Sequence, residues 1–230
     1  MRRWTDRLRT KTQVPGPAVV VGLAAEARVA RRLGWPVAIG GGTPAGAATA
    51  AERLVEQGAQ GLVSFGFAGG LIPGLRPGDV IVPRSVLVGE QALHADTALA
   101  DRLGGMTDHV LIAGNAVVAR AEDKGRLHAT TGAHAVDLET GAVASVASRS
   151  GLPFAALRAI CDAAERDLPP AALVALDGRG MIGLARVVGS VMAHPGQVPG
   201  LIGLALDAAV ARRALLDRLE RLRVDGPPLK

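Results

Sequence analysis

Short apolar runs rich in β-branched residues alternate along the chain with longer stretches of helical spacing. Residues 18–23, AVVVGL, read as a strand, and residues 24–33 as a helix with Arg31 and Arg32 on its outer side. Residues 37–39 form a second short strand stopped by Gly40, Gly41 and Gly42. TPAGAATAAERLVEQGA then supplies a helix that opens at Thr43 with Pro44 in its first turn. Residues 61–65 are the next apolar strand. This alternation of strand and helix predicts a doubly wound α/β sheet.

The middle of the chain is punctuated by glycine and proline. FGFAGGLIPGLRPGDVIVPRSVLVG is too broken for a helix and contains the strand-like runs DVIVP and SVLVG. Residues 110–113 and 116–119 predict a strand pair around Gly114, and residues 122–130 a helix. Residues 135–138 read as a strand, 139–150 as a helix ended by Gly151, and 152–160 as the last clear strand. From Pro170 the pattern is mostly helical, and no internal repeat or low-complexity linker divides the chain. The expected organisation is a basic extension over residues 1–17 and one domain over 18–230, of which 171–230 is a helical, membrane-facing or covering part. Residues 187–206, VVGSVMAHPGQVPGLIGLAL, carry no Asp, Glu, Lys or Arg. Pro195 and Pro199 break this run, which favours a helical hairpin or an interfacial patch over a membrane span.

Composition adds the nature of the core. Hydrophobic residues make up 49% of the chain, with 30 glycines, two tryptophans, three phenylalanines and no tyrosine, so the interior is built from small aliphatic side chains. The net charge of +5 is concentrated at the ends, in MRRWTDRLRTK and ARRALLDRLERLR. Neither an aromatic-interleaved patch nor a continuous basic stripe is present, which argues against nucleic acid. An anionic lipid surface and plain solvation both account for these ends. The lone Cys161 excludes an intrachain disulfide and a cysteine-based zinc site. His94, His109, His128, His134 and His194 show no metal-ligand spacing, and no G-x-S-x-G nucleophile motif occurs. No metal is therefore expected. The polar stretch KTQVPGP after the basic start predicts a cytoplasmic protein.

Three features could carry chemistry. The glycine loop from Gly40 to Gly46 lies between a strand and a helix, where it serves either as a phosphate cradle or as a tight turn. SFGFAGGL, residues 64–71, follows a strand end, where open α/β sheets bind ligands, and its glycines allow close approach to backbone N–H groups; a plain loop is the alternative. Glu26, Asp137, Glu139 and Asp162 stand isolated in apolar surroundings near strand ends. Each alone fits a cap or an ion-pair partner, but together they favour a shared cleft of costly, pKa-shifted carboxylates.

Three segments, VSFGFAGGLIPGLRPGDVIVP, VDLETGAVASVA and LRAICDAAERDLP, resemble in this order the glycine loop, the ribose-contacting segment and the base-side strand end of the purine nucleoside phosphorylase and nucleosidase superfamily. The likeness covers most of residues 18–170. Within that superfamily, GLAAEARVARRLG, RAICDAAERDLPPAAL and HPGQVPGLIGLA look most like the hopanoid-associated phosphorylases, or adenosylhopane nucleosidases. The resemblance implies a single-domain, three-layer α/β fold with a central mixed sheet flanked by helices, assembled as a homo-oligomer. It also implies release of adenine from adenosylhopane, giving ribosylhopane or phosphoribosylhopane. A methylthioadenosine or S-adenosylhomocysteine nucleosidase is the enzymatic alternative. A nucleoside-binding or membrane-associated structural protein is the alternative from another class.

The resemblance also assigns residues. Asp162 matches the acid that protonates the base, Glu139 the acceptor of the ribose hydroxyls, and Glu26 the group that orients water. Leu138 lies beneath the sugar, Asp137 assists or caps the following helix, and Cys161 packs. Phe67, Ala68 and Gly69 belong to the glycine loop at the substrate, and Val117 stands where nucleosidases carry a base-stacking Phe. Positions that hold phosphate in phosphorylases read Ser64 and Phe67 here, which weighs against phosphorolysis, with Arg28 or backbone N–H groups as remaining phosphate donors. No cofactor is implied beyond phosphate as a co-substrate.

Overall fold

Each face of the sheet is dictated by the alternation within its strands. The computed structural model describes residues 16–173 and 195–225. The basic start, and the charge-free run as far as residue 194, lie outside the described residues. The chain opens with β1 (Pro17–Val21), α1 (Ala24–Ala30) and a 3-10 turn at Arg31–Leu33. β2 (Val37–Ile39), α2 (Pro44–Glu56) and the long β3 (Gly61–Gly70) follow. Next come β4 (Val80–Ile81), the hairpin β5 (Pro83–Val88) and β6 (Gln91–His94), and α3 (Thr97–Asp101). β7 (Thr107–Ala113), α4 (Ala121–Thr131), β8 (Ala135–Asp137), α5 (Thr140–Arg149) and β9 (Phe154–Asp162) complete the sheet layers. α6 (Pro170–Leu173) and α7 (Val198–Asp225) lie beyond them.

The strands form one mixed sheet in the order β2-β1-β3-β8-β7-β5-β6, with β9 paired to β3 and β4. In β1, Ala18 and Val20 point toward α2 and α5, where Ala47, Ala51, Leu54, Val143 and Ala147 meet them. Val19 and Val21 point the other way, toward Ala27 and Leu33 of the first helical segment and Leu215 and Leu219 of α7. Period-2 strands thus bury both faces, as a three-layer α/β architecture requires. The many alanines at the α2–α5 face let these helices approach each other and the sheet closely. The expected single-domain, three-layer fold with a mixed sheet is the fold observed.

β3 departs from its expected length. Only residues 61–65 read as strand, because the glycines beyond Phe65 resemble loop chemistry, yet the strand runs on to Gly70. β1 pairs with it as far as Phe65, and β8 takes up the pairing, antiparallel, at Gly69. Between these two partners that edge of β3 has no strand beside it at Gly66–Ala68, while β9 stays paired along the other edge. The glycines are there for approach. A Cβ on Gly66 would lie 2.3 Å from Glu26 Oε1, and one on Gly69 would lie 3.0 Å from Asp162 Oδ1.

Residues 116–119 are not a strand, contrary to expectation. β7 already has β5 on one edge and β8 on the other, so a returning strand has no edge to pair with. The hairpin β5–β6 and the short α3 are elements that the pattern did not reveal. Gly89, with φ +60°, makes the hairpin's tight turn.

The loop at residues 40–46 is a tight turn. Gly41 and Gly42 adopt φ +78° and +74°, and the Gly40 and Gly41 N–H groups donate to the carbonyls of Val21 and Gly22. Thr43 caps α2 by accepting from the Gly46 N–H at 3.1 Å. A Cβ on Gly46 would sit 1.8 Å from the Gly40 carbonyl oxygen. Helix propensity alone favours Ala over Gly by about 1 kcal/mol. The steric conflict reverses this, so Gly46→Ala is expected to destabilise the protein by about 2 kcal/mol, read as a lowered urea midpoint.

Candidate active site

Arg158 is the side chain around which the site is built. Strand alternation in β9 turns it toward α5, where it is 1% exposed. Its Nη2 donates to Ser64 Oγ at 2.6 Å and Thr140 Oγ1 at 2.7 Å, and lies 2.5 Å from Asp137 Oδ2. Nε donates to Thr140 Oγ1 at 3.0 Å. Asp137 ends β8 and also accepts from the Thr140 N–H at 3.1 Å, so it starts α5 and neutralises Arg158 together. Of its two expected roles, assisting the substrate and capping the helix, the geometry fills the second.

Two glutamates complete this pole. Glu26 reaches back from α1 to accept from the Leu23 N–H at 2.7 Å, as in a capping box. Its other oxygen accepts from the Phe67 N–H at 3.1 Å, in the opening of β3. Burial pushes its pKa up, against the lowering effects of Arg158 and of backbone N–H groups. Glu139, at the start of α5, converges on the same point. A Cβ on Gly22 would lie 2.3 Å from Glu139 Oε1 and 3.3 Å from Glu26 Oε2. Burial, and then the charges of Asp137 and Glu26, push Glu139 up to about 7, although Arg158 Nη2 stands 3.8 Å away and opposes the shift. Three carboxylates share one guanidinium, so the charge is relieved by protonation.

The second pole is Asp162, at the end of β9. It is buried, and its Oδ2 accepts from Lys124 Nζ at 2.5 Å. Cys161 beside it has its thiol pKa pushed well above the ordinary value by burial and then by the Asp162 charge, which leaves it a packing group rather than a thiolate.

Between the poles lies a cavity of about 230 Å³. The structure brings all nine expected residues to its wall: Glu26, Phe67, Ala68, Gly69, Val117, Asp137, Leu138, Glu139 and Asp162. Leu168 closes one side, on a strap tied to the 116–119 segment by the Leu168 N–H to Ala119 carbonyl bond at 2.7 Å. Arg28 is exposed on α1 and does not line the cavity, and Ser64 is engaged by Arg158 and Thr140. Two site residues escaped the sequence reading. Arg158 had a signal, a cation inside the apolar strand LRAICD. Lys124 had none, because EDKGRLHAT reads as a solvated helix. Among the described residues no group of His, Cys, Asp and Glu is placed to hold a metal ion.

Fold and site define an α/β enzyme whose largely apolar cavity carries acids at both ends. The chain belongs to the phosphorylase superfamily, whose model matches residues 39–108 and 106–177, more than half of its length. The reaction class that goes with this membership is cleavage of an N-glycosidic bond. A search of curated proteins by sequence finds no significant match. Solved structures match over the whole fold. The 5'-methylthioadenosine/S-adenosyl homocysteine nucleosidase of Helicobacter pylori is 16% identical, with a TM-score of 0.63 over 91% of this chain and 99% of its own. The futalosine hydrolase of Helicobacter pylori is 17% identical, with a TM-score of 0.62 over 91% and 98%. The S-adenosylhomocysteine nucleosidase of Streptococcus pyogenes is 15% identical, with a TM-score of 0.64 over 91% and 97%.

The raised pKa of Glu139 sets a pH dependence. Between the ordinary value of 4.5 and about 7, the folded protein holds a proton that the unfolded chain has released. Its stabilising contribution is full below the unfolded value and is lost as pH rises through the folded one. Glu139→Gln is expected to flatten this fall, adding about 2–3 kcal/mol at about pH 8 and little at about pH 5. Urea unfolding of both proteins at the two pH values measures it.

Proposed function

We propose that the protein releases adenine hydrolytically from a nucleoside whose ribose carries a large apolar group at its 5-prime end, as in adenosylhopane. The observation that carries this reading is the placing of two unlike acid groups on the wall of one cavity. Cleavage of an N-glycosidic bond makes the base a leaving group and develops positive charge on the ribose. A base-side acid and a sugar-side carboxylate are what that transition state needs. Asp162 takes the base side, hydrogen-bonding the purine edge and passing it a proton as the bond breaks. Glu139 accepts from the ribose hydroxyls, and Leu138 supports the sugar. Glu26, beside Glu139 and aimed by two backbone N–H groups, orients the attacking water.

Water rather than phosphate is favoured as nucleophile by the state of the cations. Arg158 commits Nε and Nη2 to Asp137, Ser64 and Thr140 and keeps only Nη1, 3.5 Å from the Phe67 carbonyl, while Lys124 is occupied by Asp162 and two carbonyls, so few cationic N–H groups remain for a phosphate. The apolar substituent is supported by the wall made of Phe67, Val117, Val118, Leu138 and Leu168. It is also supported by α7, which abuts the strap through the Arg166–Asp207 ion pair. Val198, Ile202, Leu206 and Val210, spaced by four, expose an apolar stripe along that helix. Peripheral contact with the cytoplasmic membrane face, and a homo-oligomeric assembly, belong to the same reading. Among the described residues no helix is long and apolar enough to cross a membrane.

A second reading, hydrolysis of methylthioadenosine or S-adenosylhomocysteine, is favoured by two of the structural likenesses. Adenine release from adenosylhopane and from methylthioadenosine, each with and without phosphate, separates the readings. Turnover of the lipid substrate, independent of phosphate, is expected; turnover of methylthioadenosine alone would sink the lipid assignment. Asp162→Asn is expected to lower adenine release by about 10²–10⁴-fold while leaving the circular dichroism spectrum intact.

A further inference from the structure

The long helix α7 changes character along its length. From Ala211 onward its inner side is packed on the sheet, and Ala211, Leu215 and Leu219 are buried there. Over residues 198–210 no side chain is buried, although Asp207 is the one charged residue among them. Asp207 is engaged by Arg166, on the strap that carries Leu168 to the cavity wall. The outward side of this half is the stripe of Val198, Ile202, Leu206 and Val210, which are 38–62% exposed among the described residues. A helix held by protein on one face ordinarily turns polar residues outward, so an apolar outer stripe suits an apolar phase rather than water.

Charge takes over in the following turns. The acids on the outward side, Asp217 and Glu220, are paired with Arg213 and Arg32. Arg212, Arg221 and Arg223 are exposed and have no acid partner among the described residues. Helical spacing puts them on the flanks of the stripe's side, from where long side chains reach headgroups while the stripe lies deeper. Positive charge is crowded at this end: burial, and then the Arg221 charge, lower the Arg218 pKa. We infer that α7 is a docking surface for an anionic phospholipid bilayer, with the stripe in the acyl boundary and these three arginines on headgroup phosphates. A stable contact between copies takes about 20–30 residues a side, far more than this stripe supplies. Among the described residues no helix is long enough and apolar enough to cross, so α7 lies on the bilayer. This deepens the peripheral contact proposed above, and it rests on that reading for what docking serves. The strap joined to Asp207 is laid against the lipid, and a nucleoside on an apolar anchor meets the cavity at the interface.

Flotation of the full-length chain with vesicles tests this without turnover. Vesicles of phosphatidylcholine and phosphatidylglycerol in equal parts are expected to bind the protein at low salt, and phosphatidylcholine alone to bind it about 10-fold more weakly or worse. Ile202→Glu with Leu206→Glu is expected to weaken binding to the mixed vesicles by about 10-fold or more. Arg221→Gln with Arg223→Gln is expected to weaken it by about 20-fold, at roughly five-fold per arginine. Ile202→Ser with Leu206→Ser stands in if circular dichroism shows that the glutamate pair does not fold. No flotation, equal binding to both kinds of vesicle, or binding that the stripe variants keep overturns the proposal. So does a protein that is dimeric by sedimentation velocity and becomes monomeric in the stripe variants without having bound vesicles, since the stripe then joins two copies. If the stripe binds vesicles but no adenine is released from an adenosine-bearing lipid, the reading of the cavity falls and the docking surface stands. If adenine is released without vesicle binding, the docking surface falls alone.

Discussion

The guanidinium of Arg158 is the contact on which the site depends. It lies in β9, touches Ser64 of β3, and meets Asp137 and Thr140 where β8 turns into α5. These elements come from distant parts of the chain, and their mutual position is set where one planar donor group satisfies all of them. Removing one partner of such a buried pair costs about 3–5 kcal/mol, because the other charge is left uncompensated. The arrangement is therefore rigid for reasons of charge as much as of packing. The cavity wall formed by Leu138 and Glu139 inherits that rigidity.

The same guanidinium is insufficient for the acids around it. Asp137 is its direct partner, while Glu139 is 3.8 Å from it and Glu26 feels it only through space. Burial, which the guanidinium only partly offsets, makes the two glutamates hold protons more tightly than free carboxylates do. A pole of this kind can accept hydrogen bonds from hydroxyls, or take a proton from water, near neutral pH. The opposite pole is balanced: Asp162 faces one lysine, at one oxygen. Acid groups in unlike environments at the two ends of a cavity can carry unlike tasks, and that asymmetry comes from burial of the glutamates together with the uneven supply of cations.

What could be read in the sequence follows from how local each signal is. The start of α2 was legible because Thr43 and Pro44 are cap and first-turn residues, and the end of α5 because Gly151 adopts φ +63°. Asp137 and Glu139 were legible as misplaced charges, and their partners were not, since Arg158 and Thr140 meet them only through tertiary pairing. The extra length of β3 was hidden because glycine has two uses. Gly66 and Gly69 resemble loop residues, yet they sit in a strand where Glu26, Arg158 and Asp162 come too close for a side chain. Lys124 was hidden most completely, for its sequence neighbours are polar and its burial depends on Asp162, 38 residues away.

The glycines also explain how a small chain with few aromatic residues builds a selective cavity. Carboxylates can lie this close to the strands only where no Cβ intervenes. Gly22 admits Glu139 and Glu26, Gly66 admits Glu26 and Arg158, and Gly69 admits Asp162. The acids are thus drawn onto the sheet rather than standing above it, and the volume over the strands is left to Phe67, Val117, Leu138 and Leu168. Apolar walls over charged floors lower the local dielectric, so each of the floor's few charges acts more strongly on whatever the cavity holds. The base-side end of the cavity thus depends on a residue that has no side chain, because a Cβ on Gly69 would occupy the place of the Asp162 carboxylate.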